Sequence, residues 1–254
     1  MKRKLIENWR RIEQRIAAAC ARAGRDPAGV TVVAVTKTVT IDVIRGLVEA
    51  GLHDLGESRA QELTQRAAML KEWLARRARD ASVGGQPQPR WHMVGHLQRN
   101  KVKQVLPWVE LIHSVDSLRL AEEIDTQSQA LGRKTPVLLE VNAGGEATKF
   151  GVVVPAAVHL AEQIHTLPNL ELRGLMTMAP LTHDESRTRN VFTRVRELFD
   201  EMVTERIGGA SFRELSMGMS NDFEYAVEAG ATYVRIGTAL FEGLELPAQA
   251  ARVD

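Results

Sequence analysis

Residues 30–39, VTVVAVTKTV, form an apolar, β-branched run that ends on a lysine. An amine where a buried strand stops can bind an anion, form an imine with an aldehyde, or reach water along its own methylene stem. Alternation puts Val33, Val35 and Lys37 on one face of the strand. A lysine partly desolvated near another cation keeps more of its amine neutral, the state that attacks an aldehyde. A second cation, Arg235, interrupts another buried run, TYVRIG (232–237). A buried guanidinium stays charged and needs an acceptor of matching geometry. That acceptor is either a carboxylate such as Glu140 or a ligand atom. Two short segments suit a phosphate. In SMGMSND (216–222), Ser220 offers a hydroxyl and can cap the helix that follows; in RIGT (235–238), Gly237 permits close backbone approach and Thr238 adds a donor. Asp222 argues against an anion there, and plain capping with tight turns explains the same residues. A lysine, an arginine and a phosphate cradle on different strands together describe an aldehyde-bearing phosphate with a ring between its ends. Pyridoxal 5′-phosphate has that shape.

Positioning these groups requires a frame, and the chain alternates with a steady rhythm. Ile6, Trp9, Ile12 and Ile16 predict an amphipathic helix over 4–22, stopped by Gly24 and Pro27. Strands are then expected at 30–36, 52–56, 91–95, 111–115, 137–142, 170–178, 213–219 and 232–237. Helices are expected between them at 41–50, 58–79, 98–105, 117–131, 155–167, 184–206 and 221–229, with a short helical stretch at the end. A Gly/Pro-rich loop occupies 80–90. Strands separated by helices pair in parallel through right-handed crossovers, and eight such units in about 250 residues predict a (β/α)8 TIM barrel with an extra N-terminal helix. A doubly wound open sheet competes, but no GxGxxG follows the first strand. In such barrels the chemistry collects at the carboxyl ends of the strands, which is where Lys37, Gly56, Glu57, Gly95, His96, Gln98, Ser114, Asp116, Asn142, Met176 and Thr177 fall, with Met217 and Ser220 in 216–222 and Arg235, Gly237 and Thr238 in 235–238. One domain over residues 1–254 is expected, because no linker, repeat or low-complexity segment divides the chain.

Bulk properties narrow the partners. Lys and Arg total 33 against 32 Asp and Glu, so the formal charge of +1 offers no concentrated basic face for a nucleic acid. ARRAR (75–79) closes a helix, where cations suit the dipole. One cysteine, Cys20, cannot form an internal disulfide, which points to a reducing compartment. The charged amino terminus does not read as a signal, and no run is apolar enough to cross a bilayer, so a cytoplasmic protein is expected. His92 and His96 lie four apart on a strand-turn segment with no carboxylate or cysteine beside them, and no metal site is expected. His113, His159, His165 and His183 are scattered. Lys149, in the loop AGGEATKFG, is the rival imine lysine.

The run WHMVGHLQRNKVKQV (91–105) resembles the signature of the YggS/PROSC family of pyridoxal phosphate homeostasis proteins. AVTK (34–37), GES–AQE (56–62), NxGxExxKxG (142–151), GLMTMAP (174–180), SMGMSND (216–222) and the stretch 234–243 extend the resemblance over nearly the whole chain. It implies a barrel like the N-terminal domain of alanine racemase, with Lys37 carrying pyridoxal 5′-phosphate as an internal aldimine. Ser220, Gly237 and Thr238 would hold the phosphate and Arg235 would face the pyridine nitrogen, with Met217 and Asn142 in the same cofactor-binding set. Three positions depart from the family's pattern: Ser58 replaces the usual Asn, His96 fills a position often held by proline, and Glu242 is inserted before Gly243. An arginine opposite the ring nitrogen keeps that nitrogen unprotonated and weakens the ring as an electron sink. Racemisation also needs an acid/base on each face of the α-carbon. The racemases bring one of these, a tyrosine, with a second β-rich domain. This chain ends soon after its eighth strand, and its tyrosines, Tyr225 and Tyr233, are not obviously placed for the task. The expected role is therefore that of a non-enzymatic monomer that buffers or delivers pyridoxal 5′-phosphate, with apo forms of enzymes using that cofactor as recipients. An amino-acid racemase is the alternative, and a cofactor-free aldolase or isomerase barrel is the third reading.

Overall fold

The computed structural model describes residues 1–79, 87–146, 149–182 and 184–244. Most of the expected loop over 80–90 lies outside the described residues, as do positions 147–148 and His183. The strands are β1 (Thr31–Val35), β2 (Asp54–Glu57), β3 (Arg90–Met93), β4 (Val109–Val115), β5 (Thr135–Asn142), β6 (Val152–Val153), β7 (Leu170–Met176), β8 (Glu214–Ser216) and β9 (Tyr233–Ile236). All pair in parallel. Eight of them close in the order β1-β2-β3-β4-β5-β7-β8-β9 and back to β1, while β6 only extends the end of β5. The helices are α1 (Lys2–Arg22), α2 (Ile41–Glu49), α3 (Ala60–Arg77), α4 (Val102–Val105), α5 (Leu118–Ala130), α6 (Val154–His165), α7 (Glu185–Thr204), α8 (Phe223–Glu228) and α9 (Thr238–Phe241). This is the (β/α)8 barrel expected, with α1 preceding it.

The strands are buried on both faces, so side-chain alternation sorts them into two populations. One set, including Ala34, Leu55, Met93, Ile112, Leu139, Leu175, Leu215 and Val234, packs with the helices in the large outer core. The other set points to the barrel axis. Register places Val33 beside Arg235, Gly56 beside His92, Glu140 beside Met176, and Ser216 beside both Met176 and Tyr233. Leu111, Leu138 and Met176 form an apolar layer there, with Met178 and Tyr233 against them, and Val33 lies beside Arg235. Polar groups share the axis: Asp54, His92, His113, Glu140, Ser216 and Arg235 are all buried.

The buried stripe of α1 differs from the one expected. Leu5, Asn8, Ile12, Ile16, Ala19 and Cys20 face inward, whereas Ile6 and Trp9 are half-buried. The polar Asn8 stands within the stripe because its Nδ2 donates to the carbonyls of Leu240 (3.0 Å) and Glu242 (2.9 Å). A hydrophobic pattern cannot register such a residue, so the first turns are read one position off, while Ile12 and Ile16 face inward as expected. The inserted Glu242 is thus part of the latch that joins α1 to the end of the barrel, and its carboxylate also accepts from Arg11. β6 was not expected, since two residues carry no period.

Candidate functional site

Lys37 lies just past β1 and is exposed at the carboxyl rim, where a partly desolvated amine was expected. The peptide before it is held firmly. Thr36 N–H donates to the Gly56 carbonyl (2.9 Å), and Arg66 Nη1 bridges the Thr36 carbonyl and Glu57 Oε1. The Thr36 hydroxyl also donates to Glu57, which is fully buried and whose carboxyl is pushed up by that burial against the opposing pull of Arg66 and Thr36. Glu57, in the GES segment, therefore anchors the backbone from which Lys37 projects.

The neighbouring strand supplies the cradle. Ser220 Oγ accepts from Gly237 N–H (3.2 Å) and from Ala239 N–H (3.2 Å), which leaves its own O–H to donate outward. Gly237 packs so closely on β1 that a Cβ there would stand 3.3 Å from the Val35 carbonyl oxygen. Lys37, Gly237 and Thr238 consequently share one rim. The turn that delivers Ser220 depends on Gly218, whose φ of +91° suits glycine and where a Cβ would meet Ala226 at 2.6 Å. The Asp222 carboxylate is engaged within its own loop, where its Oδ1 accepts from Met219 N–H at 2.5 Å. Burial raises the Asp222 carboxyl, with the Met219 N–H and the charge of Arg235 opposing.

Arg235 is buried beneath this rim. Nη1 donates to Ser216 Oγ (2.6 Å) and Nη2 to the Thr177 carbonyl (2.9 Å); Glu140, the carboxylate considered as its partner, is not among its hydrogen-bond acceptors. Thr177 is itself fixed by donating to the Val141 carbonyl (2.8 Å). Burial lowers the guanidinium to about 10, against the raising influence of Glu140 and Asp222, so it remains charged at neutrality. Glu140 is raised to about 7 by burial and by Asp116, with Arg235 pulling the other way.

Two residues of the expected set stand apart from this cluster. Met217 is fully buried in the outer apolar core, leaving only its backbone to meet a ligand. Asn142, on β5 across the barrel, organises the following loop: Nδ2 donates to the carbonyls of Glu146 (2.8 Å) and Lys149 (3.4 Å), while Oδ1 accepts from Gly145 N–H (3.1 Å). Lys149 is ion-paired with Glu146 at 2.5 Å. His96 stacks on Phe150, ring centroids 4.0 Å apart, and its Nδ1 lies 3.4 Å from Asp116 Oδ2. Gly95 approaches Ser58 so tightly that a Cβ would fall 2.4 Å from the Ser58 carbonyl oxygen, so the loops after β2 and β3 pack as one layer. Among the described residues no group of three or more His, Cys, Asp and Glu could hold a metal ion. No helix among them is long and apolar enough to cross a membrane.

Sequence reasoning missed the Ala239 N–H; it placed Thr177 and residues 216–222 at strand ends but did not pair Thr177 or Ser216 with Arg235. A backbone donor carries no side-chain signal, but Ser216 and Arg235 could have been matched by strand parity once their register was known.

The family model described as alanine racemase, N-terminal domain, matches residues 3–245. The chain is 40% identical over 235 residues to the pyridoxal phosphate homeostasis protein of Aquifex aeolicus, covering 92% of this chain and 96% of the relative. Among solved structures, PipY of Synechococcus elongatus with PLP bound superposes with a TM-score of 0.74 at 32% identity, covering 89% of this chain and 99% of that one. An alanine racemase of Clostridium difficile shares the fold at 16% identity and a TM-score of 0.66, with 92% of this chain matching 55% of the racemase.

Proposed function

The chain belongs to the alanine racemase N-terminal-domain family and, within it, to the pyridoxal phosphate homeostasis proteins, and from that premise we propose that it binds pyridoxal 5′-phosphate covalently through Lys37 and serves to buffer or deliver it. The observation that carries this reading is the contiguous donor set on β1, β8 and β9. An exposed amine at Lys37, a hydroxyl at Ser220 ringed by backbone N–H groups, and the buried Arg235 lie on neighbouring strands. Each matches one part of the cofactor: an aldehyde, a phosphate dianion and a ring nitrogen that accepts a hydrogen bond. When bound, the cofactor supplies a reactive aldehyde and an electron-withdrawing ring. Lys37 provides the amine, Ser220 with Gly237 and Thr238 holds the phosphate, and Arg235 keeps the ring nitrogen free of a proton because two positive charges would otherwise meet. Met217 contributes through its backbone and Asn142 through the loop it shapes.

A carrier rather than a racemase is the reading favoured by the tyrosines. Tyr225, on α8, lies beneath the Arg189 guanidinium at 4.1 Å, outside the barrel. Tyr233 is in the axis against His92 and His113, with its phenol raised to about 12 by burial and by Glu214 and Asp54. Neither phenol stands at the rim to relay a proton. We take the protein to act as a one-domain cytoplasmic monomer, with apo-enzymes that use this cofactor as recipients. The absorption spectrum of the loaded protein beside Lys37→Ala tests the assignment. A visible band lost in the variant is the expected result; a band that persists moves the attachment to Lys149. Turnover of chiral amino acids by the loaded protein would replace the carrier reading with the racemase one.

A further inference from the structure

Below Arg235 the barrel axis holds a continuous column of polar side chains that the rim chemistry does not use. Ser216 Oγ, which accepts from Arg235, lies 2.9 Å from His113 Nδ1. His113 Nε2 is 2.9 Å from His92 Nδ1, and His92 Nε2 is 3.0 Å from Asp54 Oδ1. Arg90 closes the column by donating from Nε and Nη2 to the two Asp54 oxygens, at 2.7 and 2.5 Å. His113 and Ser216 are fully buried and His92 is 1% exposed. Asp54 and Arg90 border a cavity of about 520 Å³ at the opposite, N-terminal end of the barrel.

The donor inventory gives this column a direction. A guanidinium only donates and a carboxylate only accepts. Burial drives His113 well below the ordinary imidazole range, with the charge of Arg235 adding to the effect, so it is neutral and carries one N–H. Burial pushes Asp54 up, but hydrogen bonds from His92 and Arg90 bring it down to about 2, so it is ionised. With the His113 proton on Nε2, the Ser216 hydroxyl donates to His113 Nδ1, His113 donates to His92 Nδ1, and His92 donates from Nε2 to Asp54. Every atom in the column is then paired. The opposite sense strands the Ser216 hydroxyl hydrogen and turns a bare His92 lone pair toward a carboxylate, unless a further proton is buried on His92.

We propose that Ser216, His113, His92 and Asp54 are positioning residues, a one-way hydrogen-bond column running from Arg235 to Asp54 that fixes the guanidinium which would face the ring nitrogen of the cofactor. The column itself follows from the geometry; its service to the cofactor rests on the function proposed above.

The imidazole nitrogens of the cofactor-free protein, resolved by 15N NMR and assigned with His92→Gln and His113→Gln, test the direction. Both rings are expected neutral with the proton on Nε2. A proton on His113 Nδ1, or an imidazolium at His92, would overturn it. Asp54→Leu removes the terminal acceptor and is expected to mix the tautomers of His113, whereas Asp54→Asn keeps an acceptor oxygen and preserves them; identical spectra for the two variants count against the column. In the loaded protein, Ser216→Ala is expected to weaken pyridoxal 5′-phosphate binding about tenfold and shift its visible band, with Ser216→Thr restoring both. Unchanged affinity and band in a folded Ser216→Ala protein would refute the positioning role. Should Ser216→Ala fail to fold, the Asp54 pair, read by the same visible band, carries that decision. A wild-type protein that takes up no cofactor fails the proposed function, while the NMR result still decides the column.

Discussion

At the scale of single residues the rim separates by what each atom can donate. Ser220 is held by two N–H groups, so its hydroxyl hydrogen is the component free to meet a phosphate oxygen. Ser220→Ala is expected to lower affinity for pyridoxal 5′-phosphate by about tenfold or more, the effect of a hydrogen bond to a charged group. Affinity for pyridoxal, which has no phosphate, should stay unchanged. Titrating both ligands checks this, and equal losses would mean that Ser220 only shapes the turn. Lys149 and Lys37 divide along the same line: Lys149 is engaged by Glu146, while Lys37 is exposed at the end of a clamped backbone.

At the scale of elements, α1 packs against α2, α8 and α9 and thereby covers the seam where the first and last strands of the barrel meet. Asn8 is the polar pin in that contact. Replacing it with Ala leaves two carbonyls without their donor and is expected to cost about 2 kcal/mol, read from the urea midpoint. Cofactor affinity should be unaffected, because the residue lies outside the rim. If the midpoint does not move, water replaces the amide and the latch is only steric. The loops over the mouth are likewise fixed by polar pins: Asn142 braces the segment after β5, and His96 stacks on Phe150.

At the scale of the whole molecule, the polar axis makes stability depend on pH in two opposite ways. Glu140 has a folded value of about 7 against an ordinary 4.5. The folded state therefore holds its proton longer, and this contribution to stability is full below pH 4.5 and lost as pH rises through 7. Its size is on the order of 3 kcal/mol. Asp54 behaves inversely, its folded value of about 2 lying below the ordinary 3.8. Its contribution is present above that ordinary value and disappears on acidification toward pH 2, on the order of 2 kcal/mol. Buried neutral His113 works against this in the same window, because its contribution to stability rises with pH up to the ordinary imidazole value, so Glu140 is read as a difference: in denaturant titrations the stability of the wild type relative to Glu140→Gln should decline between pH 4.5 and 7. A difference that stays constant across that window would remove Glu140 as a source of pH dependence.

By itself the sequence determined the alternation of strands and helices, hence the closed parallel barrel, because period and turn chemistry are local properties that each segment carries alone. It also marked the rim residues, since strand ends in such a barrel are functional by topology. The register between strands distant in the chain was decided only by the tertiary structure. His113 reads as scattered in sequence and His92, 21 residues before it, only as half of a pair with His96. Ser216, still farther along, becomes their partner only when β3, β4 and β8 close around one axis. The same closure tied Arg235 to Ser216 and Thr177, because a buried guanidinium takes the acceptors that packing brings within reach. Hydrogen bonds across a barrel have no sequence period, so their existence follows from closure alone.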